Sequence, residues 1–471
     1  MASPVWRIAR KELVEQARDG RVRLTSLLLV ALLAVAFLAG RQQQQSIRQE
    51  HQAAQQAMRN FWVNQGAKNP HSAAHYGLWV FKPVPPLALF DAGVNAYTGV
   101  TTYLEAHRQN DFSRRPAMDQ PSVVRMAGWS AAAILQLLVP LLIILLAFPA
   151  FAGEREAGTL RQLLALGVPM RTLLAGKALG IAALLTLVLG PATLLGAAAL
   201  AGSSGQTDSP RVLGLALTYG AYFALVLLVS LIVSARSGTS RRALLVLLSA
   251  WAITSLMLPR AMGDLARWLH PTPSAEQFQA TLTRDIANGL DGHDPADVRA
   301  KAVERRALAH YGVTSLDSLP VNFDAIRMQA SEEHANTVFD HHFGSLYDRY
   351  RAQNALVQAA GIWAPLLAVR SLSMALAGSD IEQHRHFAAA AEAYRRGLIA
   401  WTNAYLRDHT RTGAWDWKAP PSVWRDYPPF DYAVPPVGQM LGPQRRALLV
   451  LGGWLIVALL LFLRTPTPRL E

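Results

Sequence analysis

Six apolar stretches of sixteen or more residues, none carrying a charged side chain, divide this 471-residue chain and most narrow its possible folds. They cover residues 24–40, 128–151, 178–201, 212–233, 243–258 and 447–463. A helix needs ~17 to 25 apolar residues to cross a hydrocarbon layer ~30 Å thick. The first, fifth and sixth stretches are at the short end. Arg21, Arg23, Arg41, Arg241, Arg242, Arg260, Arg445, Arg446 and Arg464 flank them and can snorkel to the interface. The leader before Leu24 is long and contains Glu12, Glu15 and Asp19, and no convincing small-x-small cleavage site precedes a mature start, so the first stretch reads as a retained helix. The expected fold is an all-α integral membrane protein with six transmembrane helices.

Orientation follows from Lys and Arg in the short connections, which stay on the cytoplasmic side. Residues 1–23, 152–177 and 234–242 and the tail 464–471 together hold fifteen basic and six acidic residues. These four segments alternate with the spans so that all fall on one side, which places both termini in the cytoplasm. Much of the +13 net charge is thereby explained by topology. Nucleic acid is not an expected partner, because no basic stretch is studded with aromatic side chains for base stacking.

Two large regions, 41–127 and 259–446, then face outward. The chain has no cysteine, so neither is held by disulfides. Both are expected to be largely helical. Asp294-Pro295 precedes a helix through His310, a periodic stretch runs from Phe323 to Gly361, and Ser379-Asp380 opens a helix through Leu406. The glutamine-rich run 42–56 follows the first span without a breaker and reads as its continuation into water. Residues 361–378 are apolar except for Arg370, whose burial mid-helix costs ~2.5 to 3.5 kcal/mol on insertion scales. An interfacial or re-entrant helix is therefore expected there rather than a seventh crossing. Trp401, Trp415, Trp417 and Trp424 stand in a proline-rich approach to the last span, a composition suited to the headgroup layer or to a cargo path.

The spans lack the acidic, basic or histidine side chains that relay a driving ion, which argues against an ion-coupled carrier. No Gly-x-x-x-x-Gly-Lys-Ser/Thr loop occurs, so this chain is not expected to hydrolyse nucleotide or to be an enzyme. All thirteen histidines lie in the two outer regions. His71 and His75 are four residues apart, His341 and His342 adjoin each other near Glu333 and Asp340, and His384 and His386 flank Arg385. Imidazoles one turn apart can share a metal. No His-Glu-x-x-His string accompanies them, and no metal or other cofactor is expected in the chain itself.

The connector 152–177 carries the strongest local pattern. Gly153 and Gly158 permit sharp backbone changes, Thr159 can cap, and Leu160, Leu163 and Leu164 share one helical face. A short amphipathic helix lying under the membrane and closed by Gly167 and Pro169 is expected, with Glu154, Arg155, Glu156 and Arg161 facing a partner. A solvated loop with incidental leucines is the plain alternative.

The string Gly153-Glu154-Arg155-Glu156-Ala157-Gly158-Thr159-Leu160, with Val168-Pro169-Met170-Arg171 and Gly176-Lys177 after it, resembles the permease subunit of type-two ABC exporters. So does the amphipathic opening Trp6 to Leu13. The segment Asn69 to Gly77 and the helical outer domain resemble a subgroup whose large extracytoplasmic domain has no defined function. The resemblance implies a membrane-spanning subunit of the bacterial cytoplasmic membrane, paired with itself or a sibling permease. It also implies a separate ABC ATPase subunit that supplies ATP and Mg. The connector would then be a coupling helix seated on that ATPase, through Gly153, Glu154, Arg155, Glu156, Gly158, Thr159, Leu160, Leu163 and Leu164. Cargo is not specified. A second reading is a non-transporting scaffold or sensor whose outer domain binds an envelope partner.

Overall fold

Helix breaks and caps written into the sequence divide the chain into long rods. A computed structural model describes residues 3–115, 130–204 and 209–465, with backbone alone over 195–204. Residues 116–127 of the first outer region, the start of span two at 128–129, part of the connection 202–211, the Gly196 side-chain position and the tail from 466 lie outside what is described. Short helical turns aside, the helices are α1 (Pro4–Arg18), α2 (Gly20–Val63), α3 (Pro70–His75), α4 (Ala131–Ala147), α5 (Pro149–Glu156), α6 (Thr159–Ala165), α7 (Met170–Ser204) and α8 (Ser209–Arg236). There follow α9 (Ser240–Ala252), α10 (Leu258–Leu269), α11 (Ala275–Asn288), α12 (Ala296–Tyr311), α13 (Phe323–Ala359), α14 (Pro365–Ala377), α15 (Ile381–His409) and α16 (Arg445–Leu463).

Among the described residues six helical rods are long and apolar enough to cross a membrane, as the uncharged stretches predict. α8 lies at the centre and touches α4, α5, α14 and α16. One core, around Ile134, Ile143, Leu146, Leu173, Ile181 and Leu231, joins α4, α7 and α8 to α2. A second, around Tyr219, Leu225, Leu372, Leu376 and Leu451, joins α8 to α14 and α16. α9 continues into α10 through a π-helical turn at Ile253–Met257.

Asp19 has extended backbone and caps α2 through its side chain, which accepts from the Arg21 N–H at 2.8 Å. No proline or glycine interrupts the chain between Gly40 and Val63, and α2 runs on for 44 residues. At 1.5 Å per residue that is a rod of ~66 Å. Its far end inserts Trp62 into a core with Trp424, Trp401 and Trp417. Trp62 stands 22 residues beyond Gly40, or ~33 Å past the apolar stretch. These tryptophans therefore do not rest on a leaflet. They anchor the rod to the head domain, with Trp424 Nε1 donating to the Gly66 carbonyl at 2.7 Å.

The head is formed by α3, α11, α12, α13 and α15, with α13 packed against α11, α12 and α15. Helices begin near Asp294, Phe323 and Asp380 as expected, the last two capped by the side chains of Asn322 and Asp380. The head also contains a small antiparallel sheet in the order β1 (Leu78–Phe81), β2 (Thr101–Glu105), β3 (Arg108–Gln109). Leu78 faces Leu104, which in turn faces Gln109.

Residues 361–378 form the 13-residue α14, ~20 Å long and short of a full crossing. It wedges between α8 and α16, and both its ends return to head helices. Arg370 avoids lipid by donating to Gln136 Oε1 at 3.2 Å. Gln136 donates to the Tyr219 hydroxyl, which pairs with Ser373 Oγ, and Ser373 donates to Asp91 Oδ2. The arginine thus ends a buried polar chain, which is how such a side chain is accommodated among apolar helices.

Candidate coupling site

The connector starts where Pro149, lacking an N–H, breaks the second apolar rod between α4 and α5. Ser234 of α8 satisfies the break: its Oγ accepts from the Phe151 and Ala152 N–H groups at 3.0 and 3.2 Å and donates to the Phe148 carbonyl at 2.8 Å. A fixed joint results. Gly153 continues α5 in helical geometry, whereas Gly158 turns with φ of 75° and is the N-cap of α6. Thr159 does not cap; its hydroxyl donates back to the Glu154 carbonyl at 3.2 Å. α6 closes as a Schellman turn, with Gly167 at φ of 80° donating to the Leu164 carbonyl and Val168 to the Leu163 carbonyl.

The apolar face of α6 packs on the protein itself. Leu160 is buried in the first core, and Leu163, Leu164 and Val168 lean on it.

Glu154 and Arg155 turn inward, Glu156 stays at the surface, and each member of the triplet grips a different helix. Glu154 Oε1 lies 2.9 Å from Lys177 Nζ of α7, which also reaches Glu12 Oε2 of α1 at 3.0 Å. These side chains are 15%, 5% and 7% exposed in the order Glu154, Lys177, Glu12. Lys11 Nζ stands 3.9 Å from Glu154, so two lysines face two carboxylates. Arg155 donates to the carbonyls of Ala235 and Ser237 at the C-terminal end of α8, where cations are favoured. Glu156 accepts from the Ser240 N–H at 3.1 Å and the Ser240 hydroxyl at 2.5 Å, at the N-terminus of α9 where acids are favoured.

Close packing holds α1 against the same site. A Cβ on Gly176 would lie 2.6 Å from Ile8 Cβ, and one on Gly180 would lie 2.7 Å from the Ala9 carbonyl oxygen. The two glycines thus let α1 and α7 approach backbone to backbone. Gly214 admits Leu376 in the same way, whereas Gly220 faces open space. On α6 and its cap the outer face is exposed: Thr159, Arg161, Gln162, Ala165 and Leu166, the last 80% exposed.

The histidines divide by environment. His342 pairs with Asp285 at 2.8 Å, His386 meets the Tyr432 hydroxyl, and His384 is buried. His71 and His75 of α3 meet at 3.1 Å between Nε2 atoms. They are joined by His107, which no sequence spacing pointed to because it arrives from the turn between β2 and β3.

Residues 6–300 match the family described as ABC-2 family transporter protein, and residues 275–433 match a domain of unknown function, DUF3526. No curated protein matches the chain. With well over half its length covered by that family and six helices able to cross a membrane, the chain belongs to the ABC-2 transporter family, as a multi-pass permease subunit of an ABC transporter carrying an extra domain.

Proposed function

We propose that the chain moves cargo across the bacterial cytoplasmic membrane with ATP hydrolysed by a separate subunit that docks on the outer face of α6. The carrying observation is the triplet, because Glu154, Arg155 and Glu156 bind the connector to α1, α7, α8 and α9 at once. A push on α6 therefore moves four helices together, the rigid-body lever that alternating access requires. In this reading the contact surface is Thr159, Arg161, Gln162, Ala165 and Leu166. Glu154, Arg155 and Glu156 transmit, while Leu160, Leu163 and Leu164 fix the lever to the bundle. The charge asymmetry of the short connections supports a cytoplasmic position for this end and an outer position for the head. The working unit pairs two permeases with two ATPases.

The absence of cysteine makes the test clean. Leu166→Cys, with a short crosslinker in native membranes, should capture an ATPase subunit, and Asp291→Cys in the head should not. Thiol labelling in intact cells should reach Asp291→Cys and spare Leu166→Cys. Labelling of Leu166→Cys from outside would overturn the orientation. Capture of no nucleotide-binding subunit would favour the scaffold reading.

A further inference from the structure

Three imidazoles converge on the head from two separate elements. His71 and His75 lie one turn apart on α3, which Asn69 caps by accepting from the His71 N–H at 2.9 Å. His107 stands between β2 and β3 with φ of 65°, a backbone conformation uncommon for a residue with a side chain. Strain of this kind persists only where the surroundings enforce it. One ring nitrogen from each histidine lies within 4.8 Å of the other two. The ring centroids form a triangle of 4.6, 4.9 and 5.6 Å.

Glu332 of α13 does the enforcing. Its Oε1 accepts from the His107 backbone N–H at 2.6 Å and lies 2.7 Å from His107 Nδ1. With the proton held on Nδ1, the lone pair of Nε2 is free to bind. Glu332 is itself 3% exposed in its side chain, and its Oε2 is held by Arg395 at 3.2 Å. Arg395 is fully buried and makes a two-point contact with Glu392 at 2.8 Å on both arms. A carboxylate aimed at the second nitrogen of an imidazole is the outer-shell arrangement that orients histidine ligands in metal sites.

We propose that His71, His75 and His107 form a three-histidine site for a divalent transition metal of the zinc and copper class, with the fourth position open to solvent. Nitrogens at ~2.0 to 2.1 Å around a tetrahedral ion are ~3.4 Å apart. The His71 to His75 separation of 3.1 Å already suits that geometry, and small ring rotations bring in the third. Imidazoles alone select zinc, copper and nickel over the harder calcium and magnesium. His75 and His107 are exposed, which leaves a path for the ion. Bound metal would tie α3 to the hairpin and so fix two elements that both pack on α15.

The test uses the purified full-length chain in detergent with Zn2+ alone, then Co2+ as a coloured stand-in. Calorimetry should find one tight site, and Co2+ should give the intense visible bands of a tetrahedral ion. His71→Ala, His75→Ala and His107→Ala should each weaken binding at least ~10-fold and abolish the Co2+ bands. Glu332→Gln should weaken it ~10- to 100-fold, as loss of an outer-shell partner does. Each protein is compared with its own metal-free melting temperature: Zn2+ should raise that of wild type and leave that of the His71→Ala/His107→Ala double variant unmoved. Equal Zn2+ binding by wild type and double variant, or no binding by wild type, would overturn the site and leave a plain imidazole-imidazole contact.

Discussion

Lys177 Nζ and Glu154 Oε1 are held 2.9 Å apart across 23 positions of sequence, which makes a single buried ammonium the joint between connector and bundle. The same ammonium holds Glu12 of α1, so loss of Lys177 would break the contacts of both α1 and the connector at once.

Glu154→Gln keeps a polar group at the joint and should lower stability by about 1.5 to 3 kcal/mol, the range for hydrogen bonds to charged groups. Glu154→Lys places a third cation beside Lys177 and Lys11 and should cost about 3 to 5 kcal/mol. Because Glu12 and Glu154 share one lysine, the Glu12→Gln and Glu154→Gln effects should depart from additivity by about 0.5 to 3 kcal/mol. Denaturant unfolding in detergent measures the three single variants and the Glu12→Gln/Glu154→Gln double variant. A Glu154→Lys protein that melts with wild type would refute the joint.

Gly180→Val should loosen α1 from α7. The added Cβ would lie 2.6 Å from Glu12 Cβ and 2.7 Å from backbone, which cannot yield as a flexible side chain does. Overpacking of this kind costs about 1 to 3 kcal/mol. Limited proteolysis near Arg18 should accelerate in this variant and not in Gly238→Ala, whose site is open. Equal cleavage rates would show that the close approach carries no energy.

The six rods were legible because lipid imposes a length and a chemistry that few other environments do, and α2 was legible beyond the membrane because nothing between Gly40 and Val63 breaks a helix. The connector helix was legible from Leu160, Leu163, Leu164 and Gly167. Its inward-facing charges were not, because the partners Glu12 and Lys177 are 165 positions apart and surface and buried glutamates look alike in sequence. The β-strands escaped notice because five residues or fewer carry little period-two signal. His107 was hidden for a related reason: only the pairing of β2 with β3 brings it to His71. The tryptophans were misplaced because composition alone cannot separate an interfacial belt from a core at the end of a long rod.

Acid should destabilise the head through His384. Burial, with the Lys82 ammonium adding, holds its imidazole down to about 3, whereas an unfolded histidine titrates near 6.5. Between these values the unfolded chain binds the extra proton, so stability falls as pH falls from about 6.5 toward 3, by at most ~1.4 kcal/mol per pH unit for this one group. Its Nδ1 is buried without a hydrogen bond, so His384→Leu removes both the penalty and the proton site. Melting temperatures at pH 7.5 and 5.0 should diverge less in His384→Leu than in wild type. An unchanged pH dependence would assign the acid sensitivity elsewhere.

Arg395 and Arg396 are neighbours in sequence and should differ sharply in effect. Arg395, whose side chain is 1% exposed, sits between Glu332 and Glu392, and Arg395→Met would bury two carboxylates with no cation between them. Removal of one member from such a group costs about 3 to 5 kcal/mol. Arg396 is 29% exposed and pairs with Asp340, itself 66% exposed, so water can replace that partner. Exposed pairs contribute about 0 to 1 kcal/mol, and its further contact with Glu392 is shared with Arg395. Arg396→Met should therefore melt close to wild type, while Arg395→Met should melt lower and also free the His107 turn that Glu332 holds. Hydrogen exchange at the His107 amide separates the two: it should accelerate in Arg395→Met alone, and acceleration in both would mean that the buried pair does not govern the turn.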